Sequence, residues 1–307
     1  MPYLVRNLRE SDIGAYTEFY NATTEPDRRI DEDKALKMTF LDPSYSPERH
    51  FIAVDEKGRI EADCRADMNR NYMEANGPVS GIVLHYRKKE AADLVLEAAA
   101  EYLEAQGIER ATTWVQEKSP VREYLKERGF RIVRRFLVMS RKPERTEVHI
   151  PEGYSLRAAR FPEEERTFMD LINSSFRGHF GWYEMDESDF RRRYMLPEEM
   201  DRSGFYMAFN RDGEPAGVVA SYIKNESTGD MRGLGVLPEH RNKGLGRALA
   251  AASLNFFAEK GIEKVTLGVD SRNLHALAIY EELGFGEDYG VLVVEANVES
   301  MLRITGK

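Results

Sequence analysis

Between residues 245 and 256 the apolar side chains Leu245, Leu249, Ala252 and Phe256 recur at spacings of four, three and four, which draws one stripe along an α-helix. Gly261 follows where a helix C-cap is expected. Val265, Leu267 and Val269 then alternate with polar or small residues, as in a half-buried strand. Upstream, "MRGLGVL" reads as a strand that stops at Pro238. Strand, helix and strand in that order make a βαβ-like connection. The Asp212-Gly213 pair inside "GFYMAFNRDGEPAGVVASYI" marks a hairpin. "HFIAVDEKGRIEAD" reads the same way in the first half, and "VLVVEA" supplies a late strand.

These patterns occur twice. "YLEAQGIERATTWVQEKSPVREYLKERGF" ends at Phe130, and "FFAEKGIEKVTLGVDSRNLHALAIYEELGF" ends at Phe285, an offset of about 154 residues. "FIAVDEKG" pairs with "YMAFNRDG", and "YLVRNLRESD" with "YSLRAARFPEE", in the same order. A repeat of that length is a domain and not a solenoid period. The seam is "SRKPERTEVHIPEG", Ser140 to Gly153, polar and with two prolines. The chain of 307 residues therefore reads as two mixed α/β domains, 1–145 and 146–307.

Composition narrows the class. Apolar residues make up 42% and charged residues 32%, a globular balance. No run approaches the roughly 18 apolar residues of a membrane helix, and "MPYLVRNLRESD" has no signal-peptide core. Cys64 is the single cysteine, so an internal disulfide and a thiolate zinc cage are excluded. A cytoplasmic protein without a metal or a membrane partner is expected. The net charge of −9 argues against sequence-independent nucleic-acid binding and favours a cationic partner such as an amine.

The candidate chemistry starts at "RNKGLGRALA", Arg241 to Ala250. It lies between the strand ending at Pro238 and the helix stripe, where free N–H groups and the positive end of the helix dipole meet. Gly244 and Gly246 let a ligand approach the backbone, and Arg241, Lys243 and Arg247 add charge. A pyrophosphate fits such a place. A P-loop would need lysine and then Ser or Thr after the second glycine, where Arg247 and Ala248 stand. A dinucleotide fingerprint begins at Gly233 and Gly235 but meets Pro238 at its third glycine.

R-x-x-G-x-G after a strand with V-x-P, together with "DSRNLHALAIYEELGF", resembles the GNAT superfamily of N-acetyltransferases. Asn273, Ala276, Tyr280, Gly284 and Phe285 match that family's second motif. Both motifs fall within residues 231 to 285. The resemblance implies two tandem GNAT-like domains, acetyl-CoA as co-substrate, and acetyl transfer to the amine of a small molecule. It implies pyrophosphate binding by Arg241, Asn242, Lys243, Gly244, Leu245, Gly246 and Arg247, with Asn273 as a further cofactor-side residue. Pantetheine would run along Leu234, Gly235 and Val236, where a strand N–H would meet the thioester oxygen. Tyr280 would protonate the leaving thiolate. The glutamate that some protein-acetylating relatives carry is replaced by Gly268, so the base is open. Asp230, Glu226 and Glu184 are the carboxylate candidates, beside a water relay or an already neutral amine. "SSFRGHFGWYEMDESDF" would line the acceptor side, with His179, Trp182 and Tyr183 as substrate contacts, or with Phe180 and Trp182 as core anchors. A protein or peptide acetyltransferase and a non-catalytic acyl-CoA-binding module are the alternatives.

The first half departs from this pattern. At the same offset it reads "RKKEAA", so Glu90 and Ala92 stand where the glycines are expected, and Leu125 stands at the Tyr280 position. It is expected to keep the fold without the donor site, as in the tandem-domain, mycothiol synthase-like branch of the family.

Overall fold

A computed structural model describes residues 2–25, 29–42, 44–196 and 201–302. In chain order the first half runs β1 (Tyr3–Asn7), α1 (Ile13–Thr23), α2 (Glu32–Met38), β2 (His50–Asp55), β3 (Ile60–Asp67), α3 (Arg70–Asn76), β4 (Val79–Tyr86), α4 (Lys89–Ala105), β5 (Arg110–Gln116) and α5 (Pro120–Glu127). β6 (Arg131–Arg141) leads into the second half. There follow β7 (Tyr154–Ala158), α6 (Glu165–Phe176), α7 (Glu187–Phe190), β8 (Tyr206–Asn210), β9 (Pro215–Ile223), β10 (Thr228–Val236), α8 (Leu245–Glu259), β11 (Lys264–Asp270), α9 (Leu274–Glu282), β12 (Gly286–Asn297) and α10 (Val298–Met301).

The chain divides into two compact units, and neither is a continuous stretch. Unit 1 comprises 1–134 and 292–307; unit 2 comprises 135–291. Each boundary falls inside a strand, β6 or β12, so each unit holds a strand segment from the other half of the repeat. The polar seam after β6 belongs to unit 2, where the Thr146 backbone pairs both ways with the Asn255 side chain of α8, at 2.7 and 2.8 Å.

In unit 1 the sheet order is β1-β2-β3-β4-β5, followed by the end of β12. From β1 to β5 neighbours are antiparallel except β4 and β5, which are parallel across Val79–Gly81 and Arg110–Thr112. α4 covers one face. Its Ala91, Val95, Leu96, Ala99 and Leu103 pack with Cys64, Ile82, Leu84 and the late residues Leu292, Val294 and Ala296. α1 covers the other face, where Tyr16 and Phe19 pack with Ile52, Val54 and Ile60, and α2 packs on α1 through Ala35 and Ile13.

In unit 2 the order is β7-β8-β9-β10-β11-β6. β11 is antiparallel to β6, with Val265 opposite Arg141 and Asp270 opposite Phe136. The expected helix and strand are found at α8 and β11, and Gly213 turns the β8–β9 hairpin with φ +81°. α8 is buried nearly all round, and its Leu245, Leu249, Leu254 and Phe257 pack in one cluster with Tyr280 and Phe285. A side chain such as Phe257, wholly removed from water, contributes about 1.5–3 kcal/mol. α6 and α7 lie on the opposite face, where Phe168 packs against Phe190 and Phe205.

Candidate active site

The site grows out of a strand that stops following its neighbour. β10 pairs with β11 only from Thr228 to Asp230. Beyond that point β10 follows β9 alone, through a bulge between Arg232 and Gly235 with Gly233 at φ +59°. Among the described residues, the β11-facing edge of β10 therefore has no strand partner from Met231 onward. Glycine is required at 235, because a Cβ there would come within 2.6 Å of the Ser175 Cβ on α6.

The chain leaves β10 at Val236 and enters α8 at Leu245, through a connection of eight residues. Pro238–His240 make a 3-10 turn. Asn242 then takes φ +60° and Gly244 φ +86°, both left-handed. Gly244 is the α8 N-cap, and neither a capping side chain nor a first-turn acid is present. Asp31, Ser119, Asp186 and Asn273 cap other helices with their side chains. The first-turn N–H groups of α8 and the positive end of its dipole thus remain for an outside acceptor. A Cβ at Gly246 would meet Ile279 at 3.6 Å and Val236 at 3.8 Å, ordinary contacts. Packing inside the protein does not demand that glycine.

The cations around the loop are anchored. Arg241 donates to the carbonyl of Val236 (3.0 Å) and to that of Ser175 (2.9 Å), stapling the end of β10 to the end of α6. Lys243 donates to the Tyr154 hydroxyl (3.2 Å) and the Glu239 carbonyl (3.0 Å), and Tyr154 also meets His240 Nδ1 at 2.9 Å. Arg247 pairs with Glu282 at 2.7 Å on the surface.

On α9 the Asn273 side chain accepts from the Ala276 N–H at 3.1 Å, so its oxygen is spent as an N-cap. Tyr280 is buried against Phe285, at 5.9 Å between rings. Burial alone pushes its phenol well above the ordinary tyrosine range, which keeps the proton on.

The segment 177–186 follows α6, which ends at Phe176. The Phe176 ring lies 3.4 Å from the Cβ position of Gly235, and both His179 (5.1 Å) and Trp182 (5.0 Å, stacked) pack on it. Partial enclosure lowers the His179 pKa, the charge of Arg241 lowers it further, and Asp270 opposes both. Among the described residues, Trp182 Nε1 and Ser175 Oγ are buried without a hydrogen-bond partner. Tyr183 is a core tie: it is buried, its hydroxyl accepts from Arg193 at 2.6 Å, and that guanidinium covers its ring at 4.8 Å.

The three carboxylates fall elsewhere. Asp230 is buried at the paired foot of β10, held by Arg232, by Thr266 at 3.0 Å and by Lys224 at 3.4 Å. At about 3.3 Å per strand residue it stands roughly 15 Å from Gly235. Glu184 is exposed and pairs with Arg177 at 3.5 Å. Glu226 is exposed in the turn before β10. The structure thus gathers the loop, Leu234–Val236, Ile279, Phe176 and His179, and leaves Asp230, Glu184 and Tyr183 outside that group. The staple role of Arg241 and the contact of Ser175 with Gly235 carried no sequence signal.

The acetyltransferase (GNAT) family model matches residues 166–285, which contain the loop, Leu234–Val236, Phe176, His179 and Ile279. A mycothiol acetyltransferase of Thermobispora bispora is 30% identical over 227 residues, covering 70% of this chain and 75% of that protein. The chain belongs to the GNAT family. Two other mycothiol acetyltransferases match at 30% and 31% identity, and the matched stretch spans about half of their length. Among solved structures, a GNAT protein of Sphaerobacter thermophilus superposes with a TM-score of 0.74 at 17% identity, covering 97% of this chain and 96% of that one. A tandem GNAT protein from the clavulanic acid biosynthesis pathway gives 0.70 at 14% identity, covering 96% and 98%. The mixed α/β sheets described above are thus the GNAT fold in tandem form. Among the described residues no helix is long and apolar enough to cross a membrane, and no group of three or more His, Cys, Asp or Glu side chains could hold a metal ion.

Proposed function

We propose that the chain is an acetyl-CoA-dependent N-acetyltransferase that acetylates the amine of a small molecule, with one donor site, in unit 2. The observation that carries this reading is the uncapped, left-handed start of α8 at Gly244, beside a β10 edge that no strand occupies. The N–H groups of residues 241–247 would take the pyrophosphate. The anchored Lys243 and Arg247 set the positive field around it. The backbone edge at Leu234–Val236 would pair with the pantetheine and aim an N–H at the thioester oxygen, where negative charge develops in the transition state.

Tyr280 is the proton donor for the leaving thiolate. Its buried phenol keeps its proton, and because an ordinary thiol titrates near 8.5 the transfer runs uphill unless the site also raises the leaving thiolate's affinity for a proton. His179 and Trp182 form the acceptor wall with Phe176. Tyr183 supports it from the core. The ion pairs of Asp230 and Glu184 argue against either as the base, which favours an amine that arrives neutral or loses its proton through water. The name shared by the relatives, mycothiol acetyltransferase, supports a small-molecule acceptor.

The test is calorimetry with acetyl-CoA, then mass spectrometry of a library of amines and peptides incubated with the protein and acetyl-CoA. One bound acetyl-CoA per chain and a product heavier by one acetyl group on a small amine are expected. Acetylation confined to peptides would overturn the acceptor class, and binding without any product would overturn catalysis.

A further inference from the structure

Acetyl transfer to an amine needs a group that takes a proton from nitrogen. Asp230 and Glu184 are tied in ion pairs, and Glu226 stands in the turn before β10. The segment 177–186 brings an imidazole to the site instead.

That segment is tightly turned. Gly178 and Gly181, on either side of His179 and Phe180, take left-handed φ values of +83° and +68°, which favour glycine. The His179 N–H donates to the Phe176 carbonyl at 3.0 Å, and the Trp182 N–H donates to the His179 carbonyl at 3.1 Å. Trp182 stacks on Phe176, and the His179 ring packs on the same ring at 5.1 Å. Backbone bonds and ring contacts thus hold His179 without using its ring nitrogens. Among the described residues neither nitrogen has a hydrogen-bond partner. The residue is exposed, so water reaches it.

Phe176 also lies 3.4 Å from the Cβ position of Gly235, so His179 stands one ring away from the edge of β10 that has left β11. Two charges act on it from the ends of those diverging strands. Arg241 follows β10 and is fastened to the Val236 carbonyl; Asp270 is the last residue of β11. An imidazole within reach of both strand ends stands beside the gap between them, where the reading above puts the thioester. Its other charged neighbours, Arg177 and Glu184 on the same segment, pair with each other at 3.5 Å.

Enclosure and Arg241 hold the His179 pKa below its ordinary value, against Asp270, so the ring is neutral near pH 7. In either tautomer one ring nitrogen then offers a lone pair. The strength of this base decides when it acts. An ordinary alkylammonium titrates near 10, far above an imidazole, so His179 does not strip a charged amine before attack. Once the nitrogen has added to the thioester carbon, the neighbouring oxygen and sulfur draw electrons from it, and its proton leaves far more readily.

We propose that His179 is the general base of the acetyl transfer, taking the proton from the attacking nitrogen directly or through one water. The proposal rests on the reaction and donor site proposed above. A neutral amine attacks the thioester carbon; the C–N bond forms and the carbonyl electron pair moves to oxygen. His179 takes a proton from the new N–H⁺. The oxygen pair returns, the C–S bond breaks, and the sulfur takes the proton of Tyr280. The products are the N-acetylated amine and the CoA thiol. His179 gives its proton to solvent, from which Tyr280 regains one.

The test is kcat of the parent chain and of His179→Gln between about pH 5 and 8.5. The acceptor is the amine that gives the most product in the library screen above, saturating together with acetyl-CoA. The variant should lose about 10²-fold in kcat, the low end for acid–base catalysis because water remains as an acceptor. Its affinity for acetyl-CoA in calorimetry should hardly move. Below the His179 pKa, log kcat of the parent should fall about one unit per pH unit more steeply than above it, and the variant should show no such break. An unchanged kcat, a raised KM with kcat intact, or the same break in both proteins would each overturn the role of His179 and leave the reaction standing. A parent chain that acetylates no amine would overturn the reaction and the base together.

Discussion

β4 leads into α4 through two residues, Arg87 and Lys88, whereas β10 leads into α8 through eight, 237–244. Both strands part from their parallel neighbour after three residue pairs. β10 carries a bulge and β4 is in unbroken register with β3. The helix starts differ too: Lys88 is an extended N-cap with Glu90 in the first turn of α4, and Gly244 is a left-handed N-cap with no acid after it. The first unit therefore does not hold a poisoned copy of the loop. It lacks the loop, and Ala92, which the fixed offset placed at Gly246, lies in the first turn of α4 and packs in the core. A diverging strand pair belongs to both units; an anion cradle needs the longer connection as well.

The largest effect is expected from cutting the chain. Residues 151–307 begin after β6 and lose the strand that pairs with all of Val265–Asp270. An unpaired β11 edge and an exposed core face should leave that piece aggregated or unfolded. Residues 135–291 keep the strand and should melt cooperatively and bind acetyl-CoA. Circular dichroism melts of both pieces check this, and a stable 151–307 fragment would show that β6 is dispensable.

Next comes Gly244→Glu in the full chain. Left-handed geometry costs a side-chain-bearing residue about 1–2 kcal/mol, and the carboxylate faces the place of the pyrophosphate. Acetyl-CoA should bind at least about 100-fold more weakly, roughly 2.7 kcal/mol. Calorimetry on the parent chain should give one site, and two equivalent sites would erase the contrast between the units.

Tyr280→Phe should lower kcat by at most the 10²–10⁴-fold typical of general acid catalysis. Affinity for acetyl-CoA should hardly move, since the hydroxyl takes part only as the thiolate leaves. An unchanged kcat would reduce Tyr280 to packing against Phe285.

The smallest effect concerns unit 1 and acid. Burial holds the folded-state pKa of His50 below its unfolded value of about 6.5, so the folded chain binds fewer protons and loses stability as pH falls below that value. Asp63, depressed in the fold, adds a loss only at far lower pH, below about 3.9. The parent Tm should drop between pH 7.5 and 5.5, and His50→Gln should flatten that drop. An equal slope in both proteins would contradict a neutral His50.

The stripe of Leu245 to Phe256, the alternation of Val265 to Val269 and the Asp212-Gly213 turn were all readable, because each reports a local period or dihedral need. Gly244 was readable for the same reason. The ion pairs of Asp230 and Glu184 were not, since Lys224, Arg232 and Arg177 reach them by side-chain placement that no motif spacing encodes. The length of the β4–α4 connection was hidden by a fixed offset. The exchange of β6 and β12 was hidden more deeply, because "VLVVEA" is equally good core material for either sheet.

That exchange has a consequence in time. A ribosome moving at about 5–20 residues per second needs on the order of 8–30 s to pass from residue 134 to residue 292. Throughout that interval the nascent first unit carries an open sheet edge at β5, waiting for a segment not yet translated. The half made later can close first, and the half made earlier is sealed last.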